Sequence, residues 1–224
     1  MAPGPACPAS VYLAPVRTAP SPWALALVAF ATGCAAGPAG TVDARAVPPP
    51  HALGTDAETI ALDGTSLVIE VTVSAFVTRT LRLPKVHGAL VFSPRDPQAT
   101  TLAIHADLTA AEATPGFVAD IAKSHFLHTD RFPEARFSSL SVRATDGTFD
   151  VFGDLELHGV TRTLRVPAVL EVRGCRLHYA SDFTVDRRPF GVVASGSLDE
   201  LVDDDVEVHV SIDVDRPRCS AAAR

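Results

Sequence analysis

The sequence predicts an all-β fold, an up-and-down antiparallel barrel of about eight strands with a short helix covering one end. Three observations predict it. Apolar and polar residues alternate with period two in several separate segments. Tight-turn dipeptides fall between those segments. Valine and threonine are abundant while methionine occurs once, a composition that favours strands over helices.

The chain divides before the strands begin. Residues 1–34 are expected to be a secretory leader. Trp23-Ala24-Leu25-Ala26-Leu27-Val28-Ala29-Phe30-Ala31-Thr32 is an uncharged apolar run. It is too short for a bilayer, which takes roughly 20 residues, and suits a signal-peptide core. Small residues lead into Gly33-Cys34, as in a bacterial lipobox, so Cys34 is the expected lipidation site, although Ala31 stands where a Leu is usual. Cleavage at a nearby small-residue site, giving an ordinary secreted protein, is the rival. The stretch ahead of Trp23 is Pro-rich and long for a leader; initiation at Val11 or Val16 through an alternative codon would give a more ordinary one. Residues 35–55 are rich in Ala, Gly and Pro and read as a flexible tether. Residues 56–216 are one domain's worth of chain, and 217–224 read as a disordered tail.

Within the domain the strands follow in order. Leu67, Ile69, Val71 and Val73 alternate with Ser66, Glu70 and Thr72. Leu102, Ile104, Ala106 and Leu108 alternate with Thr101, His105 and Asp107. Phe117, Val118, Ile121 and Ala122 then recur at helical spacing behind Pro115, which predicts the covering helix. Val151, Leu155 and Leu157 alternate with Asp150, Asp154 and Glu156. Leu177, Tyr179, Phe183 and Val185 share one phase, and so do Val206, Val208, Val210, Ile212 and Val214. Asp146-Gly147, His158-Gly159 and Arg173-Gly174-Cys175 are the turns between late strands. Closing such a sheet removes its edges and makes the apolar face an enclosed lining.

Two phrases and two shorter elements resemble the YceI family. Phe126-Leu127-His128-Thr129-Asp130-Arg131-Phe132-Pro133-Glu134-Ala135-Arg136-Phe137-Ser138-Ser139 is similar to "F-F-x-x-x-x-Y/F-P-x-A-x-F-x-S". Gly153-Asp154-Leu155-Glu156-Leu157-His158-Gly159-Val160-Thr161 is similar to "G-x-L-T-x-H-G-V-T". Arg187-Arg188-Pro189-Phe190-Gly191 looks like a late "R-x-x-F-G", and His87–Phe92 like an early "x-G-x-x-x-F". The resemblance spans roughly Leu62 to Val214. It implies a lipocalin-like barrel with an extended internal cavity and polyisoprenoid ligands, an isoprenoid quinone among them. Departures sit near the expected mouth: Phe117-Val118 replace an acidic–basic pair, and His125 and His128 flank Phe126.

On this reading the ligand-binding residues are the inward aromatics and large aliphatics Ile69, Val71, Phe92, Ile104, Phe137, Leu155, Tyr179, Phe183, Val208 and Ile212. The rival is a small barrel filled solid by its side chains, serving as an envelope stress or scaffold protein. Catalysis ranks last, since no nucleophile or acid–base pair stands out; Ser195 lacks a strand-to-helix elbow. His125-x-x-His128 lacks a third metal ligand, and no Cys-x-x-Cys is present, so no metal is expected. Asp203-Asp204-Asp205 lacks the spacing of a calcium loop and reads as an exposed acidic turn. His158 reads as a hairpin residue, His105, His178 and His209 as solvent-facing, and Asp186 with Arg187 as a structural contact near a barrel end.

Cys7 falls in the leader, which leaves Cys175 and Cys219 beyond Cys34. In an oxidising compartment these two are either a disulfide or two free thiols. The net charge of −7 and the lack of a basic cluster give no support for nucleic-acid binding. The expected setting is the periplasm or cell envelope, with membrane attachment through an acylated Cys34 and an apolar lipid as partner.

Overall fold

The computed structural model describes residues 37–38, 41–42 and 46–222. The expected leader and Cys34 lie outside the described residues. The elements are β1 (Gly37–Pro38), β2 (Glu58–Asp63), β3 (Leu67–Val73), β4 (Arg79–Arg82), β5 (Val86–Phe92), β6 (Thr101–Asp107), β7 (Glu112–Ala113), α1 (Phe117–Ile121), β8 (Glu134–Thr145), β9 (Thr148–Leu157), β10 (Val160–Arg173), β11 (Arg176–Asp186), β12 (Asp205–Asp215) and α2 (Pro217–Ala222). α1 continues as a π-helical turn over Ala122–Phe126.

One curled sheet runs β2-β5-β6-β8-β9-β10-β11-β12-β3-β4-β7. All of its neighbouring strands are antiparallel. The fold class is the expected one, with two differences. The strand path has two ends, β2 and β7, so a continuous ladder does not close it. The chain itself crosses the seam instead: the turn from Asp63 to Ser66 carries β2 into β3, and Leu83–Lys85 carries β4 into β5. Leu83 N donates to Ile69 O at 3.1 Å and Asp107 N to Lys85 O at 2.9 Å. The strand count also exceeds the expected eight or so, because β1, β4 and β7 are two to four residues long, too short for alternation to be read.

Each long hairpin follows from its turn chemistry. Asp146 and Gly147 (φ 43° and 90°) and His158 and Gly159 (φ 53° and 74°) both take positive φ at the two central positions, the geometry that matches the strand twist. Leu140 is an extra residue in β8, where the register shifts between Ser139 and Ser141.

β10 changes partner along its length. Val160–Ala168 pairs with β9, and Val169–Arg173 pairs with β11. Pro167 stands at the change, and the buried Ser181 hydroxyl donates to its carbonyl at 2.5 Å. β10 and β11 therefore diverge beyond Pro167. Part of the expected tether is laid along the open edges: β1 pairs with Phe183 and Thr184, Thr41 bridges to Leu164, and Val42 N donates to Thr163 O.

The end of the barrel holding Arg173 and Arg176 is closed. Leu67, Leu177 and Ile212 are fully buried there, and Arg216 caps Phe92, its guanidinium 5.2 Å from the ring centroid. Arg216 also pairs with the buried Glu58 at 2.7 Å. Within the segment expected to be disordered, Pro217–Ala222 forms α2, and Cys219 in it is bonded to Cys175.

Candidate functional site

Two chambers lie end to end inside the curled sheet. The middle chamber has a volume of about 150 Å³; Ile69, Ile104, Phe137, Leu155, Phe183 and Val208 are among the residues of its wall. The lid chamber, about 240 Å³, lies under α1 and the π turn. Val71, Leu155, Leu157, Val185 and Val208 belong to both walls, so the chambers adjoin across these five side chains. Below them Leu102 and Tyr179 border a small void of about 20 Å³. The result is an elongated apolar tube along the barrel axis, and the filled-barrel expectation does not describe it.

Alternation explains the lining. In a strand, residues of one parity face one side, so the inward set of β3, β9, β11 and β12 points at the tube. Gly153 is inward too, and without a side chain it leaves room for the Phe137 ring. Tyr179 is a buried phenol pushed up to about 12 by desolvation, against which a Ser181 hydrogen bond works. It stays neutral at any physiological pH.

Eight of the ten sequence-selected residues line the tube: Ile69, Val71, Ile104, Phe137, Leu155, Tyr179, Phe183 and Val208. Phe92 and Ile212 do not; they are 2% and 0% exposed in the packed closed end. Parity gives the face of a residue but not its height along the barrel. The same wall includes Leu157 and Val185, which share the phases already recognised, and Leu164 and Val166 of β10. Ile121 and Phe126 reach the lid chamber from above.

The lid is fastened by the segments that carried the family resemblance. Arg187 is 3% exposed, with its guanidinium 5.5 Å from the Phe126 ring centroid. It donates to the carbonyls of Val192, Asp199, Val202 and Asp203 and to the Asp199 carboxylate at 2.6 Å. The expected Asp186–Arg187 contact is not the one formed: Asp186 accepts from the Arg188 backbone N–H, while Asp199 and Asp204 pair with Arg187. The acidic run 203–205 is thus partly built into this cluster, because Arg188 also pairs with Asp204. Arg187 hydrogen bonding holds the Asp199 carboxyl below its ordinary range.

Beside it, His128 Nδ1 and His158 Nε2 are 3.1 Å apart, and the His158 ring lies 4.2 Å from Phe132. Arg162 Nε donates to Pro189 O at 2.8 Å. Burial, then the neighbouring His128 ring, lowers the His158 pKa, against a hydrogen bond that the His158 ring donates to the Phe190 backbone carbonyl. Of the other histidines, His105 stacks on His87, and His178 and His209 face Asp213 and Asp182. Among the described residues no group of three or more His, Cys, Asp or Glu could hold a metal ion.

Comparison with known proteins agrees with this architecture. The family profile described as YceI-like domain matches residues 59–214. A UPF0312 protein of Pseudomonas putida strain F1 is 34% identical over 95 residues, covering 39% of this chain and 50% of that protein. One of Pseudomonas savastanoi pv. phaseolicola is 32% identical over 93 residues, covering 38% and 48%. The chain thus spans about half the length of the curated relatives it matches.

Among solved structures, Burkholderia cenocepacia BcnA superposes with a TM-score of 0.64 at 18% identity, over 68% of this chain and 99% of that one. A polyisoprenoid binding domain from Saccharophagus degradans, implicated in plant cell wall breakdown, superposes with a TM-score of 0.56 at 14% identity, over 72% and 99%. Campylobacter jejuni YCEI protein gives 0.55 at 12% identity, over 61% and 84%. With the profile covering most of the chain, and the barrel and its lid motifs in place, this protein belongs to the YceI-like domain family.

Proposed function

We propose that this protein binds an isoprenoid or another long apolar lipid in its tube and acts as a carrier or sequestering protein of the bacterial envelope. The observation that carries the reading is the adjoining pair of apolar chambers, about 240 and 150 Å³. Water is poorly accommodated against such walls, and each buried CH₂ of a lipid gains roughly 0.8 kcal/mol. A chain of several isoprene units outweighs its ordering cost without any hydrogen bond along the tail. The polyisoprenoid-binding neighbour and the family membership support the same ligand class. The protein works by binding and not by catalysis. An acylated Cys34 would hold it at an envelope membrane.

Extraction of the purified protein into apolar solvent, followed by mass spectrometry, should yield a prenyl lipid. Repeated recovery of none, together with no uptake of added isoprenoid quinone, would refute the reading. Phe183→Asp, which places a charge in the apolar wall, should abolish uptake. Undiminished uptake by that variant would show that the wall at Phe183 does not contact ligand.

A further inference from the structure

The lid end of the barrel carries exposed apolar side chains around the chamber. Phe76, Val77, Phe117, Val193 and Leu201 are 87%, 55%, 60%, 39% and 41% exposed. Each stands next in sequence to a residue of the lid-chamber wall, or one place further: Ala75, Val118, Val192 and Val202. Among the described residues the other exposed large hydrophobics are Leu53, Leu140, Val169 and Val172. Backbone contacts bring the rim together. Asp203 N donates to Ser74 O at 2.9 Å, joining the β3–β4 loop to the segment before β12. The pairing of β7 with β4 carries the chain up to Phe117.

Charge divides this rim into two sectors. On the Val193–Leu201 side, Asp199 and Asp204 are held by Arg187 and Arg188, and Glu200 and Asp203 add further negative charge. On the Phe76–Phe117 side the acids have basic neighbours, Asp120 pairing with Lys123 and Glu70 and Glu112 both facing Arg82 in register, while Arg79 lines the lid chamber and faces Val73. No carboxylate lies within ion-pair distance of Arg79 among the described residues. Exposed aromatic and aliphatic side chains beside an unpaired guanidinium match the interface of a phospholipid bilayer, where apolar groups enter the acyl boundary and the cation meets phosphate.

We propose that Phe76, Val77 and Phe117, with Arg79 behind them, dock the lid end of the barrel on a phospholipid bilayer, so that the lid chamber opens toward the acyl region. Its purpose rests on the lipid-binding reading, but its geometry does not. The sector bearing Glu200 and Asp203 tilts away from anionic headgroups. Lipid then moves between bilayer and tube without crossing bulk water.

The test uses full-length protein with vesicles of phosphatidylcholine and phosphatidylglycerol carrying brominated acyl chains. Phe76→Trp and Val172→Trp place a reporter at the rim and at the far end of the barrel. Trp23 and any N-terminal anchoring are common to both, so the difference between sites is decisive. Bromolipid quenching and a blue shift at position 76, with neither at position 172, are expected. Equal behaviour at the two positions, or quenching at 172 alone, would overturn the docking surface.

A Phe76→Asp/Phe117→Asp double variant should lose vesicle-to-protein quinone transfer by more than about tenfold, since two apolar insertions are removed. Its uptake from detergent micelles should be unchanged. Loss of both routes in the double variant, with folding intact, would also overturn the docking role. Failure of native protein to take up quinone from micelles would instead count against the lipid-binding reading and leave the quenching result to stand by itself.

Discussion

The ring of Phe137 occupies the space that a side chain at Gly153 would need: a Cβ built there falls 2.4 Å from Phe137 Cζ and 2.8 Å from Ser138 O. The two residues sit on neighbouring strands and both face inward. The missing side chain on β9 is therefore what seats a tube-lining aromatic against the wall. Gly153→Val should force the ring into the middle chamber. Overpacking of this kind costs roughly 1–3 kcal/mol. A lower unfolding midpoint in urea and weaker isoprenoid uptake are expected; full uptake with unchanged stability would mean that the ring has room elsewhere.

Arg187 holds the lid by its hydrogen bonds rather than by exposed charge. Replacing it with Met would leave the Val192, Asp199, Val202 and Asp203 carbonyls without their donor. Removing one partner from a buried charged network costs roughly 3–5 kcal/mol. Thermal and chemical unfolding of Arg187→Met should show a loss of that order. A change below about 1 kcal/mol would show that water replaces the guanidinium easily.

The His128–His158 pair predicts acid sensitivity. The His158 pKa is depressed in the folded protein from an ordinary value of 6.5. Above pH 6.5 the ring is neutral in both states and folding carries no proton penalty. As pH falls through 6.5 the unfolded chain takes up the proton first, so stability declines until the lower folded pKa is passed. Unfolding free energy measured across this range should fall with acid in the native protein and fall less steeply in His158→Asn, which also tolerates the positive φ. Identical slopes would remove His158 from the account.

The sequence makes the face of each long strand legible, and the reason is geometric. Val206 to Val214 alternate without a break, and β12 keeps that phase over Asp205–Asp215. Asp146-Gly147 and His158-Gly159 mark turns because few residues accept positive φ twice in succession. Height along the axis is not written in alternation, so Phe92 and Ile212 share the inward phase of Phe183 and Val208 yet pack the closed end. The split of β10 from β11 at Pro167 and the placement of β1 along the open edge depend on which strand each edge meets, a long-range matter. Arg187 finds Asp199 and Asp204 twelve and seventeen residues away, past a turn that no local pattern announces. Asp186, adjacent in sequence, instead accepts from the Arg188 backbone N–H.

On the proposed function the tube holds an apolar chain along its length. This is tested most directly by titrating the protein with isoprenoid quinones that share a headgroup and differ in the number of isoprene units, read by native mass spectrometry. One lipid per protein is expected, with affinity rising at least several-fold for each added unit until the chambers are filled, as roughly 0.8 kcal/mol per buried CH₂ requires. Absence of saturable uptake, or an affinity indifferent to chain length, would contradict it.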